Sequence, residues 1–221
     1  IKCGICVEAC PEKALSLDTG ELPYISINRE SCKLSGECVN VCPSNALQFT
    51  GYKINIPDLL KEIEKDHTYF KVSGGGITLT GGEPLYQPEF SGALLKECVK
   101  RGIHTTIETS LLCDKDVLEQ ISGNVGLFIV DLKIFDTDRH NFYTGKHNKI
   151  IKENFKYISA AGRNIIVRIP IVENISAKEE NLNAIFEFVK ETRSDIKIEK
   201  IAFNPLAGNN YRKLGIPYFL E

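Results

Sequence analysis

Thiolates hold soft metals and carry redox chemistry, and the eight cysteines of this 221-residue chain are unevenly spread. Six fall within the first 42 residues: Cys3, Cys6, Cys10, Cys32, Cys38 and Cys42. In a small secreted chain such a cluster could be a disulfide framework. Here it precedes a long stretch of α/β character and contains Cys10-Pro11 and Cys42-Pro43, which favours metal. The segment Cys6-Val-Glu-Ala-Cys10-Pro-Glu-Lys-Ala-Leu15 recurs as Cys38-Val-Asn-Val-Cys42-Pro-Ser-Asn-Ala-Leu47, with an offset of 32 throughout. Each half reads as a cysteine-bearing loop and turn, followed by a short strand over 15–17 or 47–49. Residues 24–27 alternate apolar and polar as a partner strand. The favoured chemistry is iron–sulfur. The alternative is a zinc ribbon, which would show two Cys-x2-Cys pairs without Cys-x3-Cys-Pro. Cys98, on the apolar face of a helix, reads as core, and Cys113 as a loop thiol.

A second stretch with chemical potential is Val72-Ser-Gly-Gly-Gly-Ile-Thr-Leu-Thr-Gly-Gly-Glu-Pro-Leu85. A short β-branched run is bracketed by glycines, and Glu83 stands at its lip. That pattern predicts a buried strand ending where backbone approaches a ligand or another segment closely; the plain alternative is a strand–turn–helix corner. The remaining chain alternates helix and strand patterns. Helices are expected over 56–65, 88–100, 114–121, 150–161 and 177–192, and strands over 77–80, 104–108, 125–132, 165–172 and 196–203. Five strands alternating with helices predict a parallel sheet with right-handed crossovers, as an open or partial barrel. Chemistry in such folds gathers at the C-terminal strand ends. The polar residues there are Gly81, Gly82 and Glu83, then Glu108 and Thr109, then Asp131 and Lys133, with Arg168 inside the fourth strand and Asn204 after the fifth. Asp131 and Lys133 could instead be a surface pair, Arg168 could serve a structural carboxylate, and Asp136 with His140 could brace a helix. His67, His104 and His147 read as ordinary.

Net charge is −2 and apolar content 43%, so no basic surplus points to nucleic acid, and no apolar run reaches the roughly 18 residues of a membrane span. The expected setting is a reducing cytoplasm.

The cysteine repeat resembles the bacterial ferredoxin arrangement, in which the fourth cysteine of each run ligates the other cluster. That resemblance implies one 4Fe-4S cluster on Cys3, Cys6, Cys42 and a residue before Ile1, and a second on Cys32, Cys38 and Cys10, with Ser35 where the fourth cysteine belongs. The whole chain resembles the radical S-adenosylmethionine (AdoMet) superfamily through Gly81-Gly-Glu-Pro84 after a ferredoxin-like insert. Three further stretches narrow the resemblance: Asp131-Leu-Lys-Ile-Phe-Asp136-Thr-Asp-Arg-His140-Asn-Phe-Tyr-Thr144-Gly145, Arg168-Ile-Pro-Ile171 and Leu214-Gly-Ile-Pro217. Together they resemble the activating enzymes of glycyl radical enzymes, the pyruvate formate-lyase activase group.

The resemblance implies a ferredoxin-like α+β domain over 1–52 and a partial (β/α)6 barrel lacking its first strand over 53–221. It implies that Gly81, Gly82, Glu83, Lys133, Arg168 and Asn204 contact AdoMet, and that Glu108, Thr109 and Asp131 form a monovalent-cation site. The implied reaction is hydrogen abstraction from a backbone glycine of a partner glycyl radical enzyme, with electrons from a flavodoxin or ferredoxin-type donor. Two alternatives are a radical AdoMet enzyme acting on a small molecule and a non-catalytic iron–sulfur electron-transfer module. The Cys-x3-Cys-x2-Cys loop that holds the family's AdoMet-cleaving cluster does not occur in the sequence. With Ile1 as first residue and no methionine, this leads to the expectation of a partial chain that by itself does not cleave AdoMet.

Overall fold

The computed structural model describes residues 2–18, 20, 24–204 and 206–218. The chain divides into two compact units, Ile1–Lys53 with Pro205–Glu221, and Ile54–Asn204. Contiguous ranges read from sequence do not express the return of the C-terminal segment to the first unit.

The first unit opens with α1 (Ile5–Glu8), β1 (Leu15–Leu17), β2 (Ile25–Ile27) and α2 (Glu37–Asn40). β1 and β2 pair antiparallel, with Leu15 opposite Ile27. The strand expected over 47–49 does not form. The reason lies in its partner: β1 has β2, but the residues one repeat beyond β2 are already in α3 (Ile56–Glu64). Asn55 starts that helix by accepting a 2.9 Å bond from the Asp58 amide, with Pro57 in the first turn. A lone strand has nothing to satisfy its ladder groups, so 47–49 stays irregular.

The second unit continues with α4 (His67–Ser73), β3 (Gly76–Leu79), α5 (Pro88–Lys100), β4 (His104–Thr109), α6 (Lys115–Ile121), β5 (Leu127–Asp131), α7 (Thr137–Thr144), α8 (Lys149–Ala160), β6 (Ile165–Ile171), α9 (Glu179–Thr192) and β7 (Lys197–Ala202). The last helix, α10 (Ala207–Leu214), belongs to the first unit. The short helices α4, α7 and α10 add to those the hydrophobic periodicity predicts.

All five strands β3–β7 are parallel and stand in sequence order in one sheet. Each crossover therefore advances the same way, and right-handed connections place the helices on a single face, the winding of a partial β/α barrel. Burial follows. Ile107, Phe128, Val130, Val167 and Ile169 are fully buried in one core with Leu95, Leu118, Phe155, Ile158 and Ile185 from the helices. Because strand side chains alternate, the residues between them face the other way. They include Glu108, Asp131, Arg168 and Glu199, so the second face is charged where a doubly wound sheet would be apolar. A smaller cluster of Leu60, Leu94, Cys98 and Ile103 packs against Ile77, which places Cys98 in the core.

Gly76 sets how β3 meets β4. A Cβ there would lie 1.9 Å from the His104 carbonyl oxygen, whereas one at Gly123 would meet nothing within 4 Å. Gly76→Ala is expected to lower unfolding free energy by on the order of 3 kcal/mol and Gly123→Ala by no more than about 0.5 kcal/mol. Denaturant midpoints of the two variants check this.

Candidate active site and cluster-binding unit

The rim at the C-terminal ends of β3, β4 and β5 is made of irregular loops whose backbone groups have no ladder partners. Buried side chains hold them instead. After β3 the chain turns at Gly81, whose φ of +125° suits glycine, and Gly81 and Gly82 have open space where a Cβ would stand. Glu83 follows, and its carboxylate takes four donors. Oε1 accepts from the Thr109 hydroxyl at 2.7 Å and the Leu85 amide at 3.1 Å. Oε2 accepts from the Ser110 amide at 2.9 Å and the Ser110 hydroxyl at 2.7 Å. Four acceptor positions are about what a carboxylate has, so Glu83 clamps the loop after β3 to the loop after β4.

Three asparagines complete this support. Asn154, on the buried stripe of α8, donates to the carbonyls of Leu111 at 2.9 Å and Cys113 at 2.8 Å. Asn148 donates to Ile134 and Phe135 carbonyls, each at 2.9 Å, and accepts from Thr137. Asn181, at the start of α9, accepts from the Phe135 amide at 2.8 Å and donates to the Lys133 carbonyl at 3.2 Å. The segment that presents Lys133 is thereby held from two helices. Sequence reasoning missed all three. For Asn154 and Asn181 the signal was available, since each interrupts an otherwise apolar helical stripe.

The candidate residues fall into three groups. Glu83 and Thr109 share a hydrogen bond. Arg168 bonds Glu108 through Nη1 at 2.8 Å and Glu199 through Nε at 3.4 Å, and the Thr80 hydroxyl donates to Glu108 at 3.2 Å. Asp131 stands next to Arg168 in the sheet register and pairs with Lys133 at 3.6 Å. Asn204 lies just past β7 and is exposed. Glu108 and Thr109 are consecutive on one strand and serve opposite sides: Glu108 takes Arg168, while buried Thr109 serves Glu83. Among the described residues no three His, Cys, Asp or Glu side chains are placed to hold a single metal ion. Asp136 caps α7 by accepting from the Arg139 amide at 2.8 Å, and buried His140 meets the Lys146 carbonyl through Nδ1 at 2.7 Å, so this pair braces a helix and its exit. Burial, aided by the Glu83 and Asp114 charges, pushes the Cys113 thiol up to about 12, so it is protonated and unreactive at neutral pH.

In the first unit the repeat extends to backbone conformation. Positive φ recurs at the same offset of 32: Lys2 (52°) and Leu34 (57°), Gly4 (76°) and Gly36 (86°), Lys13 (49°) and Asn45 (51°). The Ala14 amide donates to Cys10 Sγ at 3.3 Å, and the Ala46 amide to Cys42 Sγ at 3.2 Å. Gly4 faces Leu17 as Gly36 faces Phe49. Burial raises the Cys6 thiol, and the charges of Cys42 and Cys3 add to that. Cys10, Cys32 and Cys38 line one cavity of about 400 Å³ together with Ser35. A cubane spreads its thiolates further apart than a single ion does. The repeated loops, each with Cys-x3-Cys-Pro, and the cavity shared by Cys10, Cys32 and Cys38 fit iron–sulfur clusters.

Two variants probe the rim. Asn154→Leu leaves two buried carbonyls without donors and is expected to cost about 2–4 kcal/mol of stability, read from denaturant midpoints. Burial raises the Asp131 carboxyl above its ordinary value of 3.8, against the pull of Lys133. With the folded value above the unfolded one, stability is lost as pH rises through the interval between them. Asp131→Asn is therefore expected to melt higher than the parent at pH 7, with the gain vanishing below the ordinary carboxylate range, as calorimetry across pH would show.

Comparison with known proteins agrees with this geometry. The family profile of the radical SAM superfamily matches residues 40–185, and that of the 4Fe-4S dicluster domain matches residues 1–46. The (2S)-3-sulfopropanediol dehydratase activating enzyme of Klebsiella oxytoca is 36% identical over 223 residues, spanning 100% of this chain and 70% of its own length. The choline trimethylamine-lyase activating enzyme of Oleidesulfovibrio alaskensis is 32% identical over 225 residues, with 100% and 72% covered. Among solved structures, a domain of pyruvate-formate lyase-activating enzyme from Bacteroides vulgatus superposes with a TM-score of 0.55 at 28% identity, covering 64% of this chain and 93% of that one. Streptococcus suis SuiB, at 17% identity and a TM-score of 0.60 over 78% of this chain and 38% of its own, shares the fold. With its charged sheet face and its repeated cysteine loops, the chain belongs to the radical SAM superfamily and, within it, to the activating enzymes of glycyl radical enzymes.

Proposed function

We propose that the rim of the parallel sheet binds AdoMet and that the protein carrying this chain installs a glycyl radical on a partner glycyl radical enzyme. The observation that carries the reading is the pairing of the open Gly81–Gly82 turn with a lysine presented at the same rim. Exposed backbone carbonyls suit the ammonium of the methionyl group, and Lys133 supplies a point charge for its carboxylate. Glu83 acts through the loop rather than on the ligand, because its carboxylate is already filled by Thr109, Ser110 and Leu85. Asp131 limits where the Lys133 ammonium can swing. Arg168, held between Glu108 and Glu199, keeps a fixed positive charge on the sheet face, and Asn204 borders the far end of the rim. The proposal includes a monovalent cation at Glu108, Thr109 and Asp131 beside AdoMet, as the resemblance implies.

When bound, a reduced 4Fe-4S cluster and AdoMet would supply the radical chemistry for hydrogen abstraction from the partner's glycine. The first unit's cysteines hold the clusters that receive electrons from a flavodoxin or ferredoxin-type donor, and the setting is an anaerobic cytoplasm. Among the described residues no helix is long and apolar enough to cross a membrane.

Lys133→Ala in the natural protein, reconstituted without oxygen, is expected to weaken AdoMet binding roughly ten- to a hundredfold, the worth of one charge-assisted bond. Equilibrium binding of AdoMet, with 5′-deoxyadenosine release and the glycyl radical signal of a partner as second readouts, decides it. An unchanged affinity would remove Lys133 from the site. Release of 5′-deoxyadenosine without a radical on any glycyl radical enzyme encoded beside it would turn the reading toward a small-molecule substrate.

A further inference from the structure

The two halves of the cysteine repeat adopt the same backbone but do not present the same donors. Residue 3 sits between Lys2 and Gly4, and residue 35 between Leu34 and Gly36, with matching left-handed φ on both sides in each case. The short helices that follow, α1 and α2, are also displaced by 32 residues. Position 35 is therefore shaped as a ligand position. It carries a serine where its counterpart carries Cys3. Ser35 lines the same cavity as Cys10, Cys32 and Cys38 and is exposed to solvent.

We infer that the cluster on Cys10, Cys32 and Cys38 has one iron corner that no thiolate of this chain holds, faced by the Ser35 hydroxyl and open to exchange. Three soft thiolates fix three irons. An alcohol oxygen is a hard and weakly acidic donor, a poorer match for cluster iron than sulfur. The corner is also on the wet side of the cavity, where water or an added thiol can replace the oxygen. One-electron oxidation by ferricyanide would take the 2+ four-iron cluster to 3+, which releases iron(II) to a chelator and leaves a three-iron cluster of charge 1+. The electron goes to ferricyanide, which becomes ferrocyanide, and Ser35 keeps or regains its proton. Reduction with added iron(II) reverses the change. The inference rests on the reading that this unit holds iron–sulfur clusters.

The test compares the natural protein, reconstituted anaerobically, with Ser35→Cys, Ser35→Ala and Cys32→Ala. Iron(II) release is followed with a chelator after ferricyanide, and the three-iron cluster by EPR. Any open-corner cluster elsewhere in the protein contributes equally to parent and Ser35→Cys, so the difference between them reports this site. The expected result is a three-iron signal in the parent that exceeds that in Ser35→Cys, with release at least roughly tenfold slower in Ser35→Cys. Iron-57 added back should give the parent a Mössbauer component that Ser35→Cys lacks. Ser35→Ala should release iron faster than the parent, which keeps the inference testable if the cysteine variant does not fold. Equal release and equal signal in parent and Ser35→Cys would overturn it, as would a Ser35→Ala rate equal to the parent's. Unchanged iron content in Cys32→Ala would overturn the cluster assignment beneath it, an outcome distinct from a fully thiolate-held cluster that Cys32→Ala depletes and Ser35→Cys leaves unchanged.

Discussion

Parallel strands end in loops that have no neighbouring ladder to satisfy their backbone, and a binding rim built from such loops needs another source of order. In this chain that source is half-buried Glu83 and three buried asparagines, each bonded to loop backbone. Glu83 joins the segments after β3 and β4. Asn154 holds the segment after β4 from α8, and Asn148 with Asn181 holds the segment after β5. α8 and α9 therefore each do two jobs: an apolar stripe covers the sheet, and one asparagine fixes a rim loop. Lys133 is half-buried and long, and the backbone that carries it is held by Asn181 at its carbonyl and by Asn148 at the next two carbonyls.

The sheet's two faces divide the remaining work. Apolar residues at alternate positions supply the core that makes the strands stay together. Their neighbours in sequence supply charge that a closed core could not tolerate. Arg168 sits between Glu108 and Glu199, so its guanidinium is aligned before any ligand arrives. Asp131 is held in surroundings that disfavour its charge, which is the kind of local cost that binding sites carry and cores do not.

Much of this was legible in the residues. Hydrophobic periodicity located five strands, and their alternation with helices fixed a parallel sheet. The rim residues followed from where those strands end. What periodicity could not supply was partnership. The stretch 47–49 has the same lead-in as β1, but strand formation depends on a second segment that the chain uses for α3 instead. The sequence shows the position of Glu83 but not the four donors its carboxylate takes. Adjacency in sequence does not show the neighbour each takes, Arg168 for Glu108 and Glu83 for Thr109. Asp136 and His140 are a cap and a brace, as their i, i+4 spacing allowed, and the structure adds the Lys146 carbonyl as the partner of His140.

The cysteine repeat keeps its conformation through residues that are not ligands. Lys2 and Leu34, Gly4 and Gly36, and Lys13 and Asn45 set the turns, while the helices and the sulfur-facing amides follow from them. Shape and ligation are thus separately encoded. A duplicated segment with that property can let one half drift in donor chemistry while the other stays fixed, because a changed donor leaves the loop around it standing. The two halves of such a domain are free to diverge in electronic character under selection without passing through an unfolded ancestor.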